Sequence, residues 1–123
     1  MSAESLKVLI CDDSMLIRKK LKTALASMGV SEVFEASDGE QAVNVYKEKK
    51  PDLTLMDIVM PKMSGVDALK AILAVDSHAK VVMASSVGTQ ENLKDAINAG
   101  AFDFLQKPVT DDQLKALITK ISK

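Results

Sequence analysis

The sequence has one cysteine, no apolar run long enough to cross a bilayer, and almost no excess of charge of either sign. Cys11 is alone, so no internal disulfide can form and a disulfide-stabilised secreted scaffold is excluded. The first residues are polar and lack the basic-then-apolar order of a signal peptide. Because a spanning helix needs about 20 apolar residues, we expect no membrane insertion and a cytoplasmic location.

The charge balance also restricts the partners. The formal net charge is −1, whereas general nucleic-acid binders and membrane-surface proteins normally carry a basic surplus. The composition is 47% hydrophobic and 27% charged, which permits a buried core and argues against disorder. A length of 123 residues suits one domain. We expect a single domain over residues 1–123, with its ordered core at about 6–122 and no output domain.

Short apolar runs alternate with amphipathic stretches along the whole chain. The runs predict five β-strands, and they stand at 8–11, 33–36, 53–56, 81–84 and 102–106. Each is followed by apolar residues at helical spacing; the first helix includes Leu16 and stops at Gly29, the fourth closes at Gly100, and the last starts near Thr110.

Five strand–helix units in a row predict an α/β fold, a parallel sheet with helices on both faces. Strands 1, 3 and 4 are nearly continuous apolar runs, which is typical of central strands buried on both sides. We expect the strand order 2-1-3-4-5 of a flavodoxin-like (βα)5 domain. This order is borrowed from known folds of the class rather than derived from the residues.

Chemically active side chains stand where four predicted strands end. Strand 1 ends at Asp12-Asp13, strand 3 at Asp57, strand 4 at Ser85 and strand 5 at Lys107. Ligands of open parallel sheets bind at the carboxyl ends of the strands. We therefore expect three carboxylates, a hydroxyl and an ammonium group to converge on one crevice.

Three carboxylates close together repel one another unless a cation is present. A few carboxylates, with positions left for water and a phosphoryl group, suit Mg²⁺. Asp57 is the candidate nucleophile that forms an aspartyl phosphate, and Mg²⁺ would bridge it to the phosphoryl oxygens. Lys107 and Ser85 would contact further phosphoryl oxygens.

Each of these residues also has an ordinary structural explanation. Asp13 could cap a helix, Asp57 could be a turn residue, Ser85 could cap a helix or lie in a loop, and Lys107 could be a solvated lysine. Those explanations do not predict that four strand ends carry complementary groups, so we favour the joint site.

These residues resemble the response-regulator receiver family, and most of all its single-domain, CheY-like chemotaxis members. The resemblance covers essentially the whole chain. It rests on motifs that follow one another in order: Val8 to Asp13, Leu55 to Pro61, Ser64-Gly65, Ser85-Ser86, Ala99 to Ala101 and Lys107-Pro108.

The resemblance implies that Asp12, Asp13, Asp57 and the backbone carbonyl of Val59 bind the Mg²⁺ cofactor. It implies that Asp57 receives its phosphoryl group from the phosphohistidine of a sensor histidine kinase, or from small donors such as acetyl phosphate. By this resemblance the protein is expected not to be an enzyme. It would catalyse only its own phosphorylation and slow self-dephosphorylation.

The resemblance also assigns a switch. Ser85 matches the switch hydroxyl and Phe104 the switch aromatic residue, although threonine and tyrosine are frequent at these positions. Their movement would remodel a protein-binding face formed by helix 4, strand 5 and helix 5. The Lys107–Pro108 peptide is expected to be cis.

Val59 and Val87 depart from the pattern of quickly resetting relatives. They lie two residues beyond Asp57 and Ser85, where such relatives often carry polar side chains that orient the hydrolytic water. Neither valine side chain can form a hydrogen bond. We therefore predict slow self-dephosphorylation, which leaves a role for a separate phosphatase.

The expected partners are the kinase, a phosphatase and a downstream protein, which could be the flagellar motor switch, and the protein is expected to be a monomer. Two uses fit: a diffusible chemotaxis regulator, preferred on resemblance alone, or a phosphorelay intermediate. Basic residues on helix 1 suit a solvated face, or the kinase contact known in the family; they are Arg18, Lys19, Lys20 and Lys22.

Three other classes fit less well. An FMN-binding, flavodoxin-like carrier needs a Ser/Thr/Gly-rich phosphate loop after strand 1, where Asp12-Asp13 stand instead. A phosphatase of the haloacid-dehalogenase type needs an Asp-x-Asp pair there. A pseudo-receiver acting only as a binding module would be expected to lose part of the acidic set.

Overall fold

Strands and helices alternate along the chain in the order that its sequence predicts. The computed structural model describes residues 5–85 and 90–122. The strands are β1 (Lys7–Cys11), β2 (Glu32–Ala36), β3 (Leu53–Asp57), β4 (Val81–Ser85) and β5 (Asp103–Gln106). The helices are α1 (Met15–Ser27), α2 (Gly39–Lys49), α3 (Gly65–Val75), α4 (Gln90–Ala99) and α5 (Asp111–Ser122). None of the helices within these residues has the length and apolar character that crossing a membrane requires.

The five strands form one parallel sheet in the order β2-β1-β3-β4-β5. In its centre, Leu55 of β3 pairs with Ile10 of β1 on one side and with Val82 of β4 on the other. These three strands are almost entirely buried, because helices cover both faces of the sheet. The predicted flavodoxin-like strand order is confirmed.

The two faces of the sheet contribute to two separate cores. Successive residues of a strand point to opposite faces, and β1 shows the consequence. Leu9 and Cys11 pack with apolar side chains of α2, α3 and α4. Val8 and Ile10 pack with side chains of α1 and α5. Cys11 is a buried free thiol, as its place in an apolar run predicts.

Side-chain caps define where four of the helices begin. The residue before each of α1, α2 and α3 accepts a hydrogen bond from a backbone N–H three positions later. These residues are Ser14, Asp38 and Ser64. Before α5, the Thr110 hydroxyl accepts from the N–H of Gln113, whose side chain accepts from the N–H of Thr110, which is a capping box.

Glycines end two helices at the positions that the sequence predicts. Gly29 follows α1 and Gly100 follows α4, and both have a positive φ, 94° and 109° respectively. Glycine adopts this left-handed backbone without the steric cost that a side chain adds.

The apolar face of α1 is narrower than the sequence predicts. Leu16 is 75% exposed, although its spacing groups it with the buried side of the helix. Leu25, which is fully buried, lies nine residues further on, about 2.5 turns at 3.6 residues per turn. The two side chains therefore leave opposite sides of α1, and only Leu25 faces the sheet.

Candidate functional site

Three carboxylates meet at the carboxyl end of β1 and β3. One oxygen each of Asp12, Asp13 and Asp57 lies within 4.8 Å of the other two. The strands are neighbours in the sheet, so the residues at their ends share one edge. Asp12 is buried, Asp57 is partly buried and Asp13 is exposed. The fold thus brings together the three acids that the sequence places at strand ends.

The turn after β1 is built by its own side chains. The N–H of Ser14 donates to Oδ1 of Asp12 at 2.9 Å, and the N–H of Ile17 donates to the Ser14 hydroxyl at 3.3 Å. Ser14 is therefore the N-cap of α1. The explanation of Asp13 as a helix cap is wrong, because the next residue supplies the cap.

Lys107 reaches the acidic cluster from the end of the edge strand β5. It follows β5, and its Nζ lies 2.7 Å from Oδ2 of Asp12 and 3.0 Å from Oδ2 of Asp57. Its side chain is only 22% exposed. The explanation of Lys107 as a solvated lysine is wrong, since the ammonium group is shared between two carboxylates.

Burial and ion pairing shift the pKa values of Asp57 and Lys107. Burial raises the pKa of Asp57, and the nearby Asp12 raises it further. The ammonium of Lys107 and the Val59 N–H oppose that shift without cancelling it. Burial alone would lower the pKa of Lys107, but hydrogen bonds to Asp12 and Asp57 outweigh burial and raise it. Lys107 is thus firmly cationic at neutral pH.

Ser85 occupies the last position of β4, beside these groups. The residue is 3% exposed, and its carbonyl accepts a hydrogen bond from the N–H of Lys107 at 2.7 Å. The register of the sheet sets Ala84 opposite Asp57 and Ser85 opposite Gln106. The Lys107–Pro108 peptide is cis, as expected.

The loop after Asp57 is held tightly on both sides. The N–H of Gly65 donates to the carbonyl of Ile58 at 2.7 Å, and a Cβ at Gly65 would collide with the carbonyl oxygen of Asp57. A Cβ at Gly39, the first residue of α2, would collide with the backbone of Met63. These close approaches fix the segment that contains Val59.

Sequence reasoning missed a contact of the basic residues on α1. Arg18 is not part of a solvated face, because its Nη1 donates to the carbonyl of Asp12 at 2.6 Å. Its Nε donates to Oε1 of Glu35 on β2 at 3.1 Å. The one feature of the sequence that points to this contact is weak: Arg18 lies one turn into the helix that follows the two aspartates.

The predicted switch residues lie next to the site and on the adjoining edge strand. Phe104 of β5 pairs in register with Met83 of β4 and is 45% exposed.

Val59, beside Asp57, is 57% exposed. Val87, two residues beyond Ser85, lies outside the described residues.

The donor set suits a small, hard divalent cation. Carboxylate oxygens are the ligands that Mg²⁺ prefers, and it commonly binds through one or two of them while keeping several waters. Lys107 neutralises one of the three carboxylate charges, so an excess of negative charge remains. The residues present therefore fit Mg²⁺.

Comparisons with known proteins agree with this geometry. The family described as response regulator receiver domain matches residues 8–119. The chemotaxis protein CheY of Thermotoga maritima is 42% identical over 117 residues, which are 95% of this chain and 98% of that protein. The chemotaxis protein CheY of Bacillus subtilis is 45% identical over 114 residues, 93% of this chain and 95% of that protein.

Solved structures give the same result. A response regulator receiver domain protein from Clostridium thermocellum superposes with a TM-score of 0.89 at 32% identity, covering 94% of this chain and 93% of that one. CheY in the CheX–CheY–BeF3–Mg complex of Borrelia burgdorferi has a TM-score of 0.87 at 34% identity, with coverages of 96% and 90%. The chain belongs to the response-regulator receiver family of two-component signalling, with CheY-like chemotaxis proteins among its relatives.

Proposed function

We propose that the protein accepts a phosphoryl group on Asp57 in a Mg²⁺-dependent reaction and thereby switches its contact with a downstream protein. The donor is the phosphohistidine of a sensor histidine kinase. One observation carries the proposal: three carboxylates lie within 4.8 Å of one another, with the Lys107 ammonium 3.0 Å from Asp57.

Asp12, Asp13 and Asp57 would hold the Mg²⁺, with the backbone carbonyl of Val59 as a further ligand. When bound, the ion supplies positive charge to the phosphoryl oxygens during transfer. The ion and Lys107 together would offset the charge of the three carboxylates. An anionic phosphoryl donor can then approach a site that would otherwise repel it.

The chemical step forms a bond between a carboxylate oxygen of Asp57 and phosphorus, and it breaks the phosphorus–nitrogen bond of the donor imidazole. The electron pair of the broken bond stays on that nitrogen. Asp57 needs no general base, because a carboxylate attacks without losing a proton. Lys107 pairs with one phosphoryl oxygen and Ser85 donates a hydrogen bond to another.

The switch uses residues that connect this site to the surface. The Ser85 hydroxyl moves toward the phosphoryl group, and the Phe104 ring turns inward from its half-exposed position on β5. Both changes alter the face made by α4, β5 and α5. Two observations support this route: Ser85 lies at the end of β4 beside the acidic site, and Phe104 lies on the next strand.

Slow loss of the phosphoryl group follows from the exposed Val59 side chain. A valine 57% exposed beside Asp57 can neither orient nor activate a water molecule. A separate phosphatase would then end the signal. The Borrelia burgdorferi relative is bound to CheX in its complex, and we propose that a second protein also binds this chain near Asp57.

The biological role proposed is chemotaxis, in the cytoplasm, with the flagellar motor switch as the downstream target. The chemotaxis relatives that match nearly end to end support this choice over a phosphorelay. The protein itself is a signalling module, and its self-phosphorylation and self-dephosphorylation are the only reactions assigned to it.

Labelling with acetyl [³²P]phosphate tests the phosphoacceptor directly. Wild-type protein is expected to incorporate label with Mg²⁺ and to lose this ability in EDTA. Asp57→Asn is expected to remain unlabelled, whereas Asp67→Asn, an exposed acid of α3 outside the cluster, serves as the matched control. Label that persists in Asp57→Asn, or that needs no divalent ion, would refute the proposal.

A further inference from the structure

We propose that Arg18 is a positioning residue for the metal site, holding the carboxylates of Asp12 and Asp13 in the arrangement that binds Mg²⁺. This inference rests on the proposed function, in which those two residues bind the ion. Arg18 itself touches neither carboxylate and acts through the backbone.

The contacts of Arg18 connect three elements. Its Nη1 donates to the carbonyl oxygen of Asp12 at 2.6 Å, directly after β1. Its Nε donates to Glu35 of β2 at 3.1 Å, while its own backbone belongs to α1. The side chain is only 13% exposed. A planar guanidinium can form both bonds at once because its donors are held in a fixed fork.

The bond to Asp12 acts on both metal-binding side chains. The carbonyl of Asp12 and the N–H of Asp13 belong to one planar peptide unit. Fixing that carbonyl therefore fixes the direction in which the chain leaves Asp12 and enters Asp13. The side chain of Asp12 is held by Ser14 and Lys107, and its N–H donates to the carbonyl of Ala36. Arg18 supplies the restraint on the carbonyl side of this residue.

The charge of Arg18 would by itself oppose metal binding, since a cation near the site repels Mg²⁺. Glu35 offsets this repulsion, because its carboxylate is paired with the guanidinium at 3.1 Å. The pair thus gives the Asp12 peptide a strong donor whose charge Glu35 partly offsets. The effect of Arg18 on Mg²⁺ is therefore chiefly geometric.

A purely structural role makes a different prediction. If Arg18 only tied α1 to β2, its removal would lower the free energy of unfolding and leave the affinity of the folded protein for Mg²⁺ unchanged. Lys22 provides the matched control, because it also pairs with Glu35, at 3.7 Å, and lies one turn further along the same helix.

The experiment measures the Mg²⁺ dissociation constant of each folded variant by amide NMR shifts, without any phosphoryl donor. Arg18→Met is expected to raise it about tenfold, as removal of a group that orients metal ligands typically does. Lys22→Met is expected to match wild type. In acetyl phosphate labelling, Arg18→Met should need more Mg²⁺ for half-maximal rate by the same factor, while its rate at saturating Mg²⁺ stays near wild type.

Two further variants keep the test decisive. Arg18→Lys retains the charge but not the fork, and it is expected to weaken Mg²⁺ binding as well, even where Arg18→Met does not fold. Glu35→Gln exposes the charge of Arg18 and is expected to give a smaller loss that shrinks with added salt. Folded Arg18 variants that bind Mg²⁺ as tightly as wild type overturn the inference. A wild type that binds Mg²⁺ but takes no label refutes the proposed function alone.

Discussion

The ammonium of Lys107 lies 2.7 Å from Oδ2 of Asp12, across 95 positions of sequence. The other oxygen of this carboxylate, Oδ1, accepts the N–H of Ser14. Lys107 thus binds the oxygen that Ser14 leaves unused. Lys107 therefore acts in opposite directions on phosphorylation and on metal binding. It neutralises part of the acidic cluster and can pair with a phosphoryl oxygen, which favours phosphorylation, but it competes with any metal ion for the same carboxylates.

Removing this ammonium is expected to strengthen metal binding while impairing phosphorylation. Two unit charges about 4 Å apart interact by about 1 kcal/mol even in bulk water, so Lys107→Met should lower the Mg²⁺ dissociation constant at least about fivefold. Labelling by acetyl phosphate should nevertheless slow, because a phosphoryl oxygen loses its cationic partner. Lys120→Met, which affects a pair with Asp103 outside the site, is the control. Weaker Mg²⁺ binding in Lys107→Met would contradict the competition argument.

The raised pKa of Asp57 makes a second prediction, on stability without metal. The folded protein binds this proton more tightly than the unfolded chain does, because the folded pKa lies above the ordinary value of 3.8. The contribution of Asp57 to stability is therefore present below pH 3.8 and is lost as the pH rises through the folded pKa. For Lys107, whose folded pKa is also raised, stabilisation is complete below its unfolded value and is lost only at alkaline pH.

Asp57→Asn is accordingly expected to unfold at higher urea concentration than wild type at pH 7 in EDTA. The difference should shrink toward pH 3.5, below the ordinary pKa of 3.8, where most molecules carry the protonated carboxyl in both states. Urea titrations at both pH values measure it. A variant less stable than wild type at pH 7 would mean that the attraction of Lys107 outweighs the burial of the carboxylate.

The lifetime of the phosphoryl group depends on the side chain at Val59. Val59→Asn is expected to speed self-dephosphorylation about fivefold, since one added hydrogen bond to the attacking water is worth about 1 kcal/mol. Val75→Asn provides a control of similar exposure, 50% against 57%, at the far end of α3. Decay of labelled protein after removal of the donor gives the rates. Equal decay in wild type and Val59→Asn would refute the slow-hydrolysis proposal.

Thr54 offers a prediction independent of function. Its Oγ1 is buried in β3 and has no hydrogen-bond partner among the residues that the structure describes. An unpaired buried hydroxyl costs about 1–3 kcal/mol, so the nearly isosteric Thr54→Val is expected to raise the free energy of unfolding by about 1 kcal/mol. Thr23→Val, which removes a bonded, exposed hydroxyl on α1, should not stabilise. Urea unfolding of both variants decides between them.

The sequence predicts the fold better than it predicts the contacts around the site. Apolar runs locate the strands because burial on both faces demands them, and the ends of β1 and β3 then put Asp12 and Asp57 on one edge. The bond from Arg18 to Asp12 depends on where α1 lies against the sheet. Periodicity alone does not give that position, and for the same reason Leu16 is exposed against expectation.

Gly39 shows a second contact that the sequence does not predict. It packs against Met63, which lies in a loop whose path no sequence pattern gives. In an open helix, Gly→Ala stabilises by up to about 1 kcal/mol. Here the new Cβ would meet the backbone of Met63, which cannot move without displacing the loop that follows Asp57. Gly39→Ala is therefore expected to destabilise by about 1–3 kcal/mol, and to weaken Mg²⁺ binding because Val59 moves with that loop. Urea unfolding and a Mg²⁺ titration test the two effects separately, and a stabilised variant would show that the loop yields freely.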